Sequence, residues 1–199
     1  MRLKKDFYMD NPRVVAKKLL GKELVRKVNG QLIVSRIVET EAYGGIEDKG
    51  SHAYGNKRTK RTEPMFHIGG TIYVYLIYGM YHLLNVVTGP VGDPNAVLIR
   101  AVEPVNGIDF IKGNRSIKSN KVYDLTNGPG KLTQGLAIDM DFNQKDLVSG
   151  DDLYIRESSK AIKGNEIVQS PRVNIDYAKE YKDKPWRYFI AENSYVSKQ

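Results

Sequence analysis

Glu39, Glu41 and Tyr43 alternate in the run Ile37 to Ala53, IVETEAYGGIEDKGSHA, so an extended backbone sets all three on one face of a strand that Gly44-Gly45 ends. Two carboxylates side by side can bind a metal pair, serve as the acid and base of a glycosidase-like reaction, or line a solvent-facing strand edge. For an isolated Glu-x-Glu the solvent-facing edge is the commonest of the three. His52 adds a group that can orient water or carry a proton, and equally one that is only structural. A basic loop follows at once. Within GNKRTKRT, Gly55 to Thr62, the cations Lys57, Arg58, Lys60 and Arg61 fall in five positions, as a flexible phosphate clamp or a solvated run.

Next comes TIYVYLIYGMYHLLN, Thr71 to Asn85, with four tyrosines around one glycine. Period-two geometry puts Tyr73 and Tyr75 on one face of a strand from Ile72 to Ile77, and Ile72, Val74 and Leu76 on the other. Tyr78-Gly79 offers a sharp turn, since glycine tolerates positive φ, and Met80 to Val87 returns as a second apolar strand. Tyr78 is then the exposed residue at the bend. An aromatic at the tip of a rigid hairpin can be pushed between stacked bases; the alternative is an aromatic core hairpin.

Composition favours a polyanionic partner. The 199 residues carry 31 Lys+Arg against 23 Asp+Glu, a formal charge of +8, and 13 tyrosines suited to base stacking. The absence of cysteine excludes disulfides, thiolate catalysis and Cys-ligated zinc or iron-sulfur sites, and three histidines leave little for a metal site. No metal or cofactor is expected. The amino terminus, MRLKKDFYMD, lacks the apolar core of a signal peptide, and no run reaches the ~20 apolar residues of a membrane helix. A cytoplasmic protein without a membrane partner is expected.

The elements that must position these residues read as one α+β domain spanning 1–199, with a curved, mostly antiparallel sheet, short helices and a protruding hairpin. Asp10-Asn11-Pro12 predicts a helix over Pro12 to Leu20 stopped by Gly21. Asn29-Gly30 predicts a type I′ hairpin between Glu23 to Val28 and Gln31 to Val38. Further strands are predicted at Ala96 to Val102, Asp152 to Arg156, Gln169 to Ile175 and Trp186 to Ile190, and helices at Pro104 to Asn114 and Pro129 to Ile138. The polar, Lys-rich stretch Gly113 to Asp124 predicts a mobile loop.

Taken together, RIVETEAYGG (Arg36 to Gly45), SHA (Ser51 to Ala53), YVYLIYGMYHLLN (Tyr73 to Asn85), VLIRAVEP (Val97 to Pro104), NGPGKLTQGLAI (Asn127 to Ile138) and RVNIDYAKEYKDKPWRYFI (Arg172 to Ile190) closely resemble the alkyladenine, or methylpurine, DNA glycosylases. The resemblance runs in order over nearly the whole chain. It implies a monofunctional DNA repair enzyme that flips a damaged purine from duplex DNA and hydrolyses the N-glycosidic bond with water, without metal or covalent intermediate. The substrates implied are 3-methyladenine, 7-methylguanine, hypoxanthine and ethenoadenine.

By the same resemblance Glu41 is the general base, with Arg100 and the backbone near Val102 holding the water. Tyr43, His52 and Tyr75 form the walls of the base pocket, and Asn85 lies beneath it. Tyr78 is the intercalating residue, with Met80 beside it. Apart from the resemblance, the position of the basic loop between the acidic, His-bearing segment and the tyrosine hairpin puts Lys57, Arg58, Lys60 and Arg61 on the DNA backbone. Glu39 falls outside the pattern, and a bulge near Thr40 or a structural hydrogen bond accounts for it. The chain lacks the leader of mammalian members, which suggests a compact bacterial form, nucleoid-associated through DNA and monomeric. Two alternatives remain: a binding domain without activity, which needs no Glu41, and a metal-dependent nuclease using Glu39, Glu41 and Asp48.

Overall fold

The computed structural model describes residues 1–116, 119 and 121–197, and three of the positions outside it fall in the predicted loop from Gly113 to Asp124. The described residues form an α+β fold built on an eight-stranded antiparallel sheet, with few and short helices. No helix among the described residues is long and apolar enough to cross a membrane.

After a single turn at Lys5–Tyr8 (α1), the helix α2 runs Pro12–Leu19. It starts as the sequence predicts, because the Asn11 side chain accepts the Arg13 N–H at 3.0 Å and Pro12 takes the first position, where no donor is missed. Strands β1 (Glu23–Val28) and β2 (Gln31–Tyr43) pair through Asn29-Gly30, both with positive φ. β2 joins without a break the strand predicted at Gln31 to Val38 and the extended run that Gly44-Gly45 ends. Its first half pairs with β1, while its second half has a different neighbour on that side, β8 (Arg187–Ile190), so Glu39 to Glu41 lie inside the sheet instead of at an edge.

The hairpin β3 (Ile72–Ile77) and β4 (Tyr81–Thr88) leads into β5 (Asn95–Asn106), which covers the other edge of β2. β5 also takes the start of the helix predicted at Pro104 to Asn114. Pro104 sits where the β2–β5 register shifts, a place that tolerates a missing donor, and α3 is confined to Ile108–Gly113 after the left-handed Gly107. The second predicted helix, α4, is likewise shorter, Pro129–Gly135. Strands β6 (Leu153–Arg156) and β7 (Ile167–Ser170) complete the sheet, whose order is β3-β4-β5-β2-β1-β6 with β8 joining β2 to β7. β7 ends before Pro171, so Arg172 and Val173, predicted as strand, are released to other partners.

The two faces of β3 lead to different interiors. Ile72 and Val74 enter the main core with Leu19, Ile37, Leu84 and Ile99. Tyr73 enters a smaller cluster with Ala53, Met65 and Phe66, and Tyr75 leans on it. The alternation read from sequence therefore separates a dry core from the side on which the candidate site lies.

Candidate active site

Strand β2 carries the carboxylates, and two register shifts beside Glu39 aim them. Ile37 faces Val102, Glu39 faces Ala101 and Thr40 faces Ile99, so Val38 on one strand and Arg100 on the other are supernumerary. Bulges re-aim side chains locally, and here they bring Arg100 to both acids. Its Nε lies 3.0 Å from Glu39 Oε1 and its Nη1 3.3 Å from Glu41 Oε1. Burial lowers the proton affinity of the Arg100 guanidinium, but Glu41 and Glu39 outweigh it and the net shift is upward.

Glu39 and Glu41, both fully buried, have different partners. Glu39 accepts from Arg100, from Arg187 Nε at 2.7 Å, and from the Ser197 N–H and hydroxyl at 2.7 and 2.9 Å. It is a structural hub that holds Arg100. Glu41 accepts the Val173 N–H on Oε1 at 2.7 Å and the Tyr43 hydroxyl on Oε2 at 2.8 Å. A carboxylate oxygen takes about two donors, so Oε2, bonded by Tyr43 alone, keeps one position, while Oε1 has the Val173 bond and the Arg100 charge beside it. Burial, then the Glu41 charge, pushes the Tyr43 hydroxyl well above the usual tyrosine range, which keeps it a donor.

The backbone group beside Glu41 is therefore that of Val173. Val102 is buried in the main core, and its carbonyl accepts the Thr126 hydroxyl. A backbone partner 132 residues distant leaves no spacing signal in the sequence.

Tyr43, His52, Tyr75 and Arg100 line a cleft of about 520 Å³ together with Tyr78 and Val173. A cavity of about 40 Å³ adjoins it, lined by Tyr43, His52, Tyr73, Tyr75 and Asn85. Asn85 is anchored by its amide, which donates to the Tyr73 carbonyl at 3.2 Å. Tyr177 lines both spaces and donates to the Gly50 carbonyl at 3.2 Å; as one tyrosine among thirteen, in a short 3-10 turn, it carries no local signal in the sequence.

His52 meets Tyr75 edge-on, with ring centroids 4.6 Å apart, and its Nδ1 lies 2.8 Å from the Tyr73 hydroxyl. Burial, then the charges of Arg61 and Lys57, lower its pKa from 6.5 to about 4. The native state thus binds fewer protons than the unfolded chain. The stability gained from keeping His52 neutral is complete above pH 6.5 and is lost as pH falls through about 4. An NMR titration of its Cε1 proton is expected to give a midpoint near 4; a midpoint near 6.5 would contradict the burial argument.

Behind Tyr43 stands a buried ion pair. Arg172 Nη1 and Nη2 reach Asp48 Oδ2 and Oδ1 at 2.6 and 2.7 Å, and Nη1 also donates to the Ala42 carbonyl at 3.0 Å. Its Cζ lies 4.7 Å from the Tyr43 ring centroid and 5.0 Å from that of Trp186. Asp48 and Glu39 are saturated by guanidinium groups and Glu41 itself lies 3.3 Å from Arg100, an arrangement that opposes the three-carboxylate metal site considered for a nuclease.

The hairpin tip is as the sequence predicts. Tyr78 and Gly79 have φ of 53° and 68°, the Met80 N–H returns to the Ile77 carbonyl at 3.2 Å, and Tyr78 and Met80 are 78% and 65% exposed. The basic loop is more constrained than a flexible clamp. The Thr62 hydroxyl donates to the Lys57 carbonyl at 2.8 Å and accepts the Thr59 N–H at 2.9 Å. Arg58 closes on Glu63 at 2.6 Å, and Arg61 turns towards Tyr75, while Lys57 and Lys60 are exposed.

Comparison with known proteins gives the same direction. Residues 6–194 match the family described as Methylpurine-DNA glycosylase (MPG). A protein of Natranaerobius thermophilus named "Putative 3-methyladenine DNA glycosylase" is 51% identical over 197 residues, 99% of each chain. Proteins of the same name from Desulfitobacterium hafniense and Bacillus cytotoxicus are 48% and 47% identical, over 98% and 100% of each chain.

Proposed function

This chain belongs to the methylpurine-DNA glycosylase family of DNA repair, and we propose that it flips damaged purines out of duplex DNA and hydrolyses their N-glycosidic bond through Glu41. The observation that carries this reading is the set of bonds at Glu41. The carboxylate is held from two sides in a buried site beside an aromatic cleft, and one acceptor position on Oε2 is left over.

A water bonded at that position is aligned by Glu41 and polarised for attack. As the C1′–N bond lengthens, its electron pair leaves with the purine and the sugar takes on oxocarbenium character, which the carboxylate charge stabilises. The water oxygen bonds to C1′ and its proton passes to Glu41. No protein atom becomes bonded to the sugar, so the activity is monofunctional and leaves an abasic site. Tyr43, His52 and Tyr75 bound the flipped base, and Lys57 and Lys60 supply charge for the phosphates.

Release of free base from duplexes that each hold one lesion (3-methyladenine, 7-methylguanine, hypoxanthine or ethenoadenine) tests the reading directly. Absence of release from all four by folded protein would refute it. The exposed Tyr78 leads to a second expectation. If it fills the gap in the duplex, Tyr78→Ser slows excision of a paired lesion by roughly tenfold to a hundredfold, since a stacked aromatic is worth ~1 to ~3 kcal/mol. Excision from single-stranded DNA, where extrusion costs less, is expected to change little, and so is the melting temperature. Equal losses on both substrates with a large drop in melting temperature would make Tyr78 a packing residue.

A further inference from the structure

Tyr177 joins two segments of the chain that border the base pocket. It follows Val173, the backbone donor to Glu41, by four residues, and its 3-10 turn is fixed by the Ala178 N–H, which donates to the Ile175 carbonyl at 2.8 Å. The Tyr177 hydroxyl reaches across to the Gly50 carbonyl at 3.2 Å. Gly50 is itself held, because its N–H donates to Asp48 Oδ1 at 2.9 Å and Asp48 is locked by Arg172. The side chain is exposed as a whole, yet burial is the first cause of a hydroxyl pKa raised above the usual 10. Its polar end is therefore the sheltered end, and it keeps its proton at neutral pH.

A tyrosine hydroxyl has one hydrogen and two lone pairs. The hydrogen is committed to a carbonyl whose place the backbone sets, so what Tyr177 offers to the cleft and the adjoining cavity, both of which it lines, is an acceptor. We propose that Tyr177 is a specificity-determining residue, whose hydroxyl accepts from a flipped purine that keeps an N–H on its Watson–Crick edge and so favours it over a purine in which that edge is blocked. The inference rests on the assignment of this cleft as the base pocket. Enzymes that extrude a base read it through hydrogen bonds to that edge, and a site placed to bond an N–H disfavours the analogue that lacks it. Hypoxanthine carries an N–H on its six-membered ring. In ethenoadenine the etheno bridge occupies both nitrogens of the same edge, and no N–H remains. Both bases are uncharged, so the pair isolates the donor from any effect of lesion charge.

The test compares single-turnover excision of hypoxanthine and ethenoadenine from duplexes of identical sequence by wild type, Tyr177→Phe and Tyr54→Phe. Binding of the same duplexes is measured with Glu41→Gln added to each protein, so that a lesion released too slowly to follow still gives a ratio. Tyr177→Phe is expected to lower the hypoxanthine to ethenoadenine ratio, in rate or in affinity, by roughly three- to tenfold, the scale of one neutral hydrogen bond. The bond lost to Gly50 is common to both lesions, so it slows them alike and leaves the ratio untouched. Tyr54→Phe removes a hydroxyl from the turn that follows Gly50, outside the cleft and the cavity, and is expected to leave both ratios at their wild-type values. Equal losses for the two lesions with Tyr177→Phe would make Tyr177 a brace for the Gly50 loop and overturn the proposal. A ratio that does not fall, or that moves as far with Tyr54→Phe, overturns it too. Wild-type protein that releases neither base would instead defeat the glycosylase reading, while the two affinities would still decide whether Tyr177 reads the edge.

Discussion

Glu41→Gln is expected to lower single-turnover base release by ~100-fold to ~10,000-fold, the range for loss of a general base, while binding to lesion-bearing duplex stays near that of wild type. The substitution is close to isosteric in a site with no exposure. The glutamine carbonyl can keep the Val173 N–H and its place beside Arg100. Its amide, however, replaces an acceptor of the Tyr43 hydroxyl and the remaining acceptor position on Oε2 with donors, so nothing there can receive the water's proton. Excision rates and the dissociation constant for the same duplex separate chemistry from binding. Turnover near the wild-type rate would remove Glu41 from the chemistry.

Asp48→Ala is expected to cost ~3 to ~5 kcal/mol of folding stability in urea unfolding, because it strands the buried Arg172 guanidinium. The loss should exceed that of a surface ion pair such as Lys18–Asp10, which contributes ~0 to ~1 kcal/mol. Asp48 also accepts the Gly44 and Gly50 N–H groups at 3.1 and 2.9 Å, so the loop behind Tyr43 loosens as well. Adding Arg172→Met should recover part of the stability, since an apolar side chain needs no partner there. A cost below ~1 kcal/mol for Asp48→Ala would show that water satisfies Arg172.

The residues read most securely from sequence are those whose local pattern and role coincide. Tyr78-Gly79 is a turn by its own chemistry, Asn29-Gly30 likewise, and the Tyr73/Tyr75 face follows from period two. Asn11-Pro12 starts a helix for reasons contained in those two residues. Other elements depend on neighbours that sequence order does not reveal. The second half of β2 is a buried central strand only because β8 and β5 flank it, and Pro104 is strand only because the register shifts beside it.

The candidate site divides in the same way. Glu41, Tyr43 and His52 lie in one run, and the structural hydrogen bond expected of Glu39 is present, but its partners Arg100, Arg187 and Ser197 are too distant in sequence to leave a local signal. By sequence Asp48 reads as a third acid and Arg61 as a fourth phosphate ligand; in the fold Arg172 pairs with the first and Tyr75 lies beneath the second. Each of these links joins residues that are at least 14 positions apart in the chain.

The bond from the Val173 N–H to Glu41 also has a temporal side. Its donor is synthesised 132 residues after its acceptor, and the Ser197 contacts that steady Glu39 come 158 residues after that acid. At about 5 to 20 residues per second, the first interval alone is roughly 7 to 26 s. For its last 95 residues, from Tyr78 to Val173, the nascent chain already holds the cationic loop and the tyrosine tip, yet Glu41 lacks its backbone donor. Growth from the ribosome therefore completes the cationic loop and the tyrosine tip well before the bonds that hold Glu41, and proteolytic removal of the chain from Arg172 onward would take the Val173 donor away from the finished protein.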